Sequence, residues 1–333
     1  MDNTIFNMLY STLNGGITMK KRSNTLIELW RFVACIMIVF SHAAFPSPFG
    51  AYVVAYARFA VPFFLMITGY FSYGSADSQI VKKLLDTIRV IIIGGAVCFI
   101  WNSINSFLRY GSFSYWFNVY VNKKALKEFI LYNRAVVFNS VFYYLFMLVY
   151  VYCICLICRK LRIFYNKFML ILAISLIAIS WYIDHFTDKH WYHVGNALFT
   201  GIPMFLIGYG IHAHHDFIFK IRNHELTIIV AGLVFTYFEI LIKQTGNYVY
   251  IGQIIVAAIL LCYCMNNPRK NPFSLFVFCG TNLSLYIMII HCEVRDTLAL
   301  FFNTGSYAFP IIVLLATCLM SYLAFMAKNY LAE

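Results

Sequence analysis

The sequence predicts an all-α fold, a polytopic membrane helical bundle. Composition is the first observation: of 333 residues, 62% are hydrophobic and 11% charged, whereas a soluble domain is about half apolar and about a quarter charged. The second is a mean hydropathy of +0.75, more apolar surface than a soluble fold can cover. The third is that the aliphatic runs are long and lack period-two alternation, which excludes a membrane β-barrel. At roughly 20 apolar residues per span, the chain accommodates about ten transmembrane helices.

Taken in order, residues 1–24 form a polar N-terminal segment, with Met19 ahead of Lys20, Lys21 and Arg22 as an alternative start. Apolar runs follow at 25–45, 52–73, 84–107, 139–158, 168–185, 194–211, 225–243, 248–265, 273–293 and 308–327. An even number of spans puts both termini on one side. With that side cytoplasmic, the inner segments carry about twice as many Lys and Arg as the outer ones, as topology requires. The net charge of +12 is therefore a topological signal, and nucleic-acid binding is not expected. The segment 108–138 is the exception among the outer ones. It is rich in aromatics and basic residues and ends in the amphipathic "KKALKEFILYN", which suits an interfacial anchor or a lid over a substrate groove. Residues 25–328 read as one transmembrane domain with no separate soluble domain.

The ten cysteines fall almost entirely within the apolar runs, where free Cys behaves as a small hydrophobe. Cys155 and Cys158 form a C-x-x-C without a second ligand pair. His212, His214, His215 and His224 are irregularly spaced near one inner loop. No metal is expected from either group.

The stretch "LWRFVACIMIVFSHAAF", residues 29–45, sets Arg31 and His42 inside a membrane-buried run. A charged residue at the bilayer centre costs at least ~2.5–3.5 kcal/mol, so an ionisable group there points to function. Eleven helical steps turn about 1100°, which puts both side chains on one face, roughly 16–17 Å apart along the axis. Glu28, three residues before Arg31, lies on the same side and is placed to pair with it.

These residues resemble the R-x10-H motif in the first helix of the membrane acyltransferase-3 family, which includes bacterial surface-glycan O-acetyltransferases. The second helix, "RFAVPFFLMITGY" from Arg58 to Tyr70, is similar to that family's R-x-x-V-P-x-F-F-x-x-S-G-Y, with Thr68 in place of the usual Ser. "SLYIMIIH", Ser284 to His291, resembles the S-x-x-x-Y-x-x-H near the C-terminus, with Met288 in place of the usual Tyr. "FNSVFYYL" stands where the family has a His- and Trp-containing element, so Asn139 and Tyr143 receive no role from it. Basic residues Lys82, Lys83 and Arg89 follow at the inner end of the third helix.

The resemblance implies a membrane O-acyltransferase. It would move an acetyl group from cytoplasmic acetyl-CoA to a hydroxyl of a cell-envelope glycan or its lipid-linked precursor. The setting would be a bacterial inner membrane, with multiple spans and both termini cytoplasmic. His42 and Arg31 would be catalytic, with His42 as general base or acyl carrier. Lys82, Lys83, Arg89 and Arg58 would bind the acetyl-CoA. Glu28, Thr68, Tyr70, Ser284 and His291 would line the path. Oligomerisation stays open. The competing reading is a transporter of a small polar solute such as an amino acid, like the membrane module fused to serine racemases; no inverted half-chain repeat accompanies it.

Overall fold

A computed structural model describes residues 24–135, 139, 141–161, 167–243, 247–268 and 273–332. The polar segment 1–23, Arg162, Arg269 and Lys270 lie outside the described residues. The elements are α1 (Thr25–His42), α2 (Phe49–Ala57), α3 (Ala60–Tyr70), α4 (Asp77–Tyr110), α5 (Tyr115–Tyr120), α6 (Lys123–Tyr132), α7 (Phe142–Lys160) and α8 (Lys167–Phe186). A single π-helical turn, Ala197–Gly201, leads into α9 (Ile202–Ala213). There follow α10 (His215–Lys220), α11 (Glu225–Lys243), α12 (Ile251–Asn266), α13 (Ser274–Asn282), α14 (Ser284–Leu298) and α15 (Ala308–Ala332).

Each apolar run holds a helix among its described residues, but they are unequal. Seven helical segments are long and apolar enough to cross a membrane, and α13 with α14, bent by 77°, makes an eighth if counted as one span. The runs ending in α9 and α12 are shorter apolar helices, Ala197–Ala213 and Ile251–Asn266. Ten apolar segments are therefore present, and among the described residues seven of them, or eight with the bent pair, are full-length spans by length and composition. The chain is a membrane protein. Its outer faces agree: Ile174 and Ile171 on α8, Val230 and Val234 on α11, and Leu315 and Leu319 on α15 are exposed large hydrophobics, suited to lipid.

The breaks have local causes. Pro62 has no N–H to donate to the Arg58 carbonyl four residues back, and its ring crowds that carbonyl. The α2–α3 span accordingly breaks at Arg58 and Phe59. The third helix begins at Asp77, well before the apolar run at 84, because Lys83 and Asp86 turn inward and are buried at 3% and 1% exposure. Glycines set the closest approaches. A Cβ on Gly69 would meet the Phe205 carbonyl oxygen at 2.0 Å, and one on Gly208 would meet that of Met66 at 2.0 Å, so α3 and α9 pack backbone to backbone. Likewise a Cβ on Gly280 would lie 1.8 Å from the Glu28 carbonyl oxygen, which brings α13 against α1. The main core is a continuous cluster through these helices, with a small second cluster at Ala55, Ile240 and Tyr250.

Candidate active site

His42 is the last residue of α1 and only partly buried. Arg295 of α14 donates from Nη1 to its backbone carbonyl (3.1 Å), which satisfies an orphan acceptor at the helix end. Across from it stands His291, fully buried, with the two ring centroids 5.1 Å apart. The His291 Nδ1 lies 2.8 Å from the Ile287 carbonyl. A carbonyl only accepts, so Nδ1 carries the proton. Nε2 then presents a lone pair, and it has no partner among the described residues.

On its other side His42 opens into a cavity of about 60 Å³. Ile38 and Ser41 of α1, Arg58, Val61, Pro62 and Phe64 of the broken α2–α3 span, Tyr143 and Tyr144 of α7, Thr200 and Tyr248 line it. The Pro62 break leaves Arg58 at the end of α2. Its guanidinium sits 4.9 Å from the Tyr248 ring centre, a cation–π contact, and its Nε is buried without a partner among the described residues. The Tyr248 and Tyr143 hydroxyls share a hydrogen bond of 2.9 Å. Burial pushes the Tyr248 phenol well above the usual tyrosine value, so the hydroxyl stays a neutral donor. Its loop is pinned from below: the Asp184 carboxylate accepts from the Tyr248 and Val249 N–H groups at 2.8 Å each. Glu239 accepts from the Ile251 and Gly252 N–H groups (2.8 and 3.0 Å). A π-helical turn supplies Thr200 to the same cavity wall, a frequent feature of functional sites.

Arg31 lies apart from this cavity, whose α1 lining is Ile38, Ser41 and His42. Its guanidinium, 2% exposed, donates to Glu28 at 2.8 Å and to Ser284 Oγ at 3.1 Å. The pairing with Glu28 is the one the spacing predicts. Ser284 opens α14 at its bend, so Arg31 ties α1 to the helix that carries His291.

The remaining predicted residues spread along the bundle. Lys83 is buried, and its ammonium donates to the Phe71 carbonyl (3.0 Å) and to Ser72 Oγ (3.4 Å), closing the end of α3. Lys82 is exposed; Arg89 is also exposed and contacts Asp86 at 3.4 Å. Seven residues apart, Lys82 and Arg89 share one face of α4. Thr68 bonds back to the Phe64 carbonyl (2.9 Å). Tyr70 stacks on His212 at 4.3 Å, and His212 lies 2.7 Å from the Tyr70 carbonyl. Neither Thr68 nor Tyr70 lines the His42 cavity.

The residues that sequence reasoning missed are long-range partners. Asn139 donates to the Glu293 carboxylate at 2.6 Å, and Glu293 is 2% exposed. Tyr143 and Tyr248 complete the cavity wall, and Asp184 holds the backbone of the Tyr248 loop behind it. All ten cysteines are free thiols. The donor atoms of His42, His291 and Cys292 lie within 4.8 Å of one another. That is a zinc-type donor set, although bonds of about 2.0–2.3 Å would require it to contract.

A family model described as an acyltransferase domain matches residues 24–328. The chain belongs to the acyltransferase-3 family. Searches of curated proteins and of solved structures found no match. As an acyltransferase-3 protein the chain is a membrane acyltransferase, and its R-x10-H residues are the two set on α1, Arg31 sealed and His42 partly buried at the helix end.

Proposed function

We propose that this acyltransferase is an O-acetyltransferase, taking its acetyl group from cytoplasmic acetyl-CoA and giving it to a hydroxyl of a cell-envelope glycan or its lipid-linked precursor. It would sit in a bacterial inner membrane with both termini cytoplasmic. One observation carries the reading: a half-buried imidazole, His42, shares a cavity with the guanidinium of Arg58 and the Tyr143–Tyr248 hydroxyl pair.

In the reaction the acceptor oxygen attacks the thioester carbonyl while His42 takes its proton. The carbonyl oxygen gathers negative charge, which Arg58 and a tyrosine hydroxyl stabilise. The C–S bond then breaks, and the proton passes from His42 to the departing CoA sulfur. A neutral imidazole suits this shuttle near pH 7. The narrow cavity favours a short acyl group over a long chain. Arg31 serves as a positioning residue, holding α14 and thus His291 against the end of α1. Lys82 and Arg89, with their shared exposed face, are the groups for the CoA phosphates; Lys83 supports that end by closing α3.

The test is acyl transfer by purified protein in nanodiscs with radiolabelled acetyl-CoA, combined with mass spectrometry of surface glycans with and without the gene. Acetyl-CoA-dependent label on a glycan, absent when the gene is removed, is expected. Glycans identical in both strains, with no CoA released by the purified protein, would overturn the proposal.

A further inference from the structure

The acyl-transfer mechanism uses His42 but leaves its two nearest donor groups, His291 and Cys292, without a part in the chemistry. The donor atoms of all three lie within 4.8 Å of one another. His291 and Cys292 are consecutive on α14 and are 1% and 2% exposed, while His42 closes α1 and is partly buried. Two helices far apart in the chain thus bring two imidazoles and a thiol to one point.

A second observation marks this point as a ligand site. The His291 Nδ1–H is committed to the Ile287 carbonyl at 2.8 Å, and its Nε2 is buried with no partner among the described residues. A buried lone pair without a donor is rare in folded proteins, and a cation would satisfy it. A backbone carbonyl on one ring nitrogen with the other left open is also how proteins orient an imidazole toward a metal. Imidazole and thiolate select zinc or copper, whereas magnesium and calcium want oxygen donors. Tetrahedral bonds of about 2.0–2.3 Å set donor atoms about 3.3–3.8 Å apart, so the group closes by about 1–1.5 Å at most. His42, at a helix end and half-buried, is the member with room to turn. An ion can reach the group, because Cys292 lines a polar cavity of about 450 Å³ with Tyr110 and Tyr120 exposed on its rim. Of the arginines on that wall, Arg134 and Arg295 are paired with Glu128 and Asp296, and Arg109 is exposed.

We infer that His42, His291 and Cys292 bind a transition-metal ion of the zinc type, and that its binding switches acyl transfer off. His291 Nε2, the Cys292 sulfur and the basic nitrogen of His42 supply three bonds, and a fourth position is left to water. The metal–sulfur bond replaces the S–H bond of Cys292, whose proton leaves to solvent. A neutral imidazole has a single basic nitrogen. Once that lone pair is on the metal, His42 cannot take the acceptor proton. The switch rests on the acyl-transfer reading; the metal site does not.

The probe is Co²⁺, whose spectrum reports its ligands, added to metal-free protein in nanodiscs and purified without a histidine tag. A single ion per chain should give the strong visible bands of tetrahedral cobalt and a thiolate-to-cobalt charge-transfer band in the near ultraviolet. Zn²⁺ should displace it, and excess Mg²⁺ should not. Cys292→Ser should abolish the charge-transfer band, whereas Cys158→Ser, at a half-buried thiol of α7, should keep it. His42→Gln serves if the serine variant does not fold. It should weaken Co²⁺ binding at least about 100-fold, since loss of a ligand's hydrogen-bond partner alone costs about 10–100-fold. In the transfer assay Zn²⁺ should stop the parent and a chelator should restore it. Cys292→Ser protein should keep working at the Zn²⁺ level that stops the parent. A cobalt spectrum without the charge-transfer band, or one unchanged by Cys292→Ser, would overturn the site. Full turnover by zinc-loaded protein, or loss of turnover on chelation, would overturn the switch. The spectrum needs no substrate, so cobalt bound through Cys292 in a protein that transfers no acetyl group would uphold the site and overturn the acyl-transfer reading.

Discussion

Replacing Arg31 separates a reacting group from a positioning one. Arg31→Met removes a charge-assisted bond of 2.8 Å and a second bond of 3.1 Å to Ser284. It also strands Glu28, which is only 4% exposed. Breaking one side of a buried pair costs about 3–5 kcal/mol, largely because the remaining charge is uncompensated. Glu28→Gln alone should be destabilising for the complementary reason. The double variant, Glu28→Gln with Arg31→Met, removes both charges of the pair and should be far more stable than the two single effects summed, with a coupling of at least about 2 kcal/mol. Arg31→Lys keeps the charge but has no planar fork to reach both Glu28 and Ser284, so it should rescue only partly. The assay is unfolding in mixed micelles by SDS titration, followed by tryptophan fluorescence, with acyl transfer measured on the same preparations. Additive losses would refute the pairing argument. A double variant that folds as well as the parent, with a raised acetyl-CoA KM and an unchanged kcat, would refute the positioning role and put Arg31 on the donor.

Two further outcomes follow from packing and charge. Lys83→Met should destabilise by about 2 kcal/mol or more because a buried ammonium and its two acceptors lose each other; Lys82→Gln should leave stability within about 0.5 kcal/mol, Arg89→Gln should cost more because it takes a cation from the buried Asp86, and the two together should raise the acetyl-CoA KM, more steeply at low salt. Unfolding curves and donor titrations at two ionic strengths check both. Gly280→Ala, whose Cβ would lie 1.8 Å from a backbone oxygen, should cost at least the upper end of the ~1–3 kcal/mol range for overpacking. Gly94→Ala, whose nearest neighbour is a phenylalanine ring atom at 3.2 Å, should be much milder in the same titration.

The membrane bundle was legible because lipid solvation imposes long apolar runs, and each predicted run holds a helix among its described residues. Less legible was how each run is cut. Pro62 announced a lost hydrogen bond, but not that the helix would turn there and leave Arg58 in a cavity. The early start of α4 was hidden because no local pattern shows that the charged Lys83 and Asp86 face inward. Glu28 and Arg31 were visible as a pair because helical spacing is local information. Asn139–Glu293, Tyr143–Tyr248 and Asp184 with the Tyr248 loop join residues far apart in the chain, and no periodicity encodes those contacts. Fold thus came from composition and spacing, whereas the cavity walls came from tertiary packing.

The central claim is that His42 moves the acceptor proton, and acyl transfer by His42→Ala protein tests it most directly. Purified His42→Ala and parent protein, matched for insertion and unfolding midpoint in nanodiscs, would be given radiolabelled acetyl-CoA with the acceptor the parent uses. Loss of a general base should lower turnover by about 10²–10⁴-fold; turnover within a few-fold of the parent in a correctly folded His42→Ala protein would contradict the account.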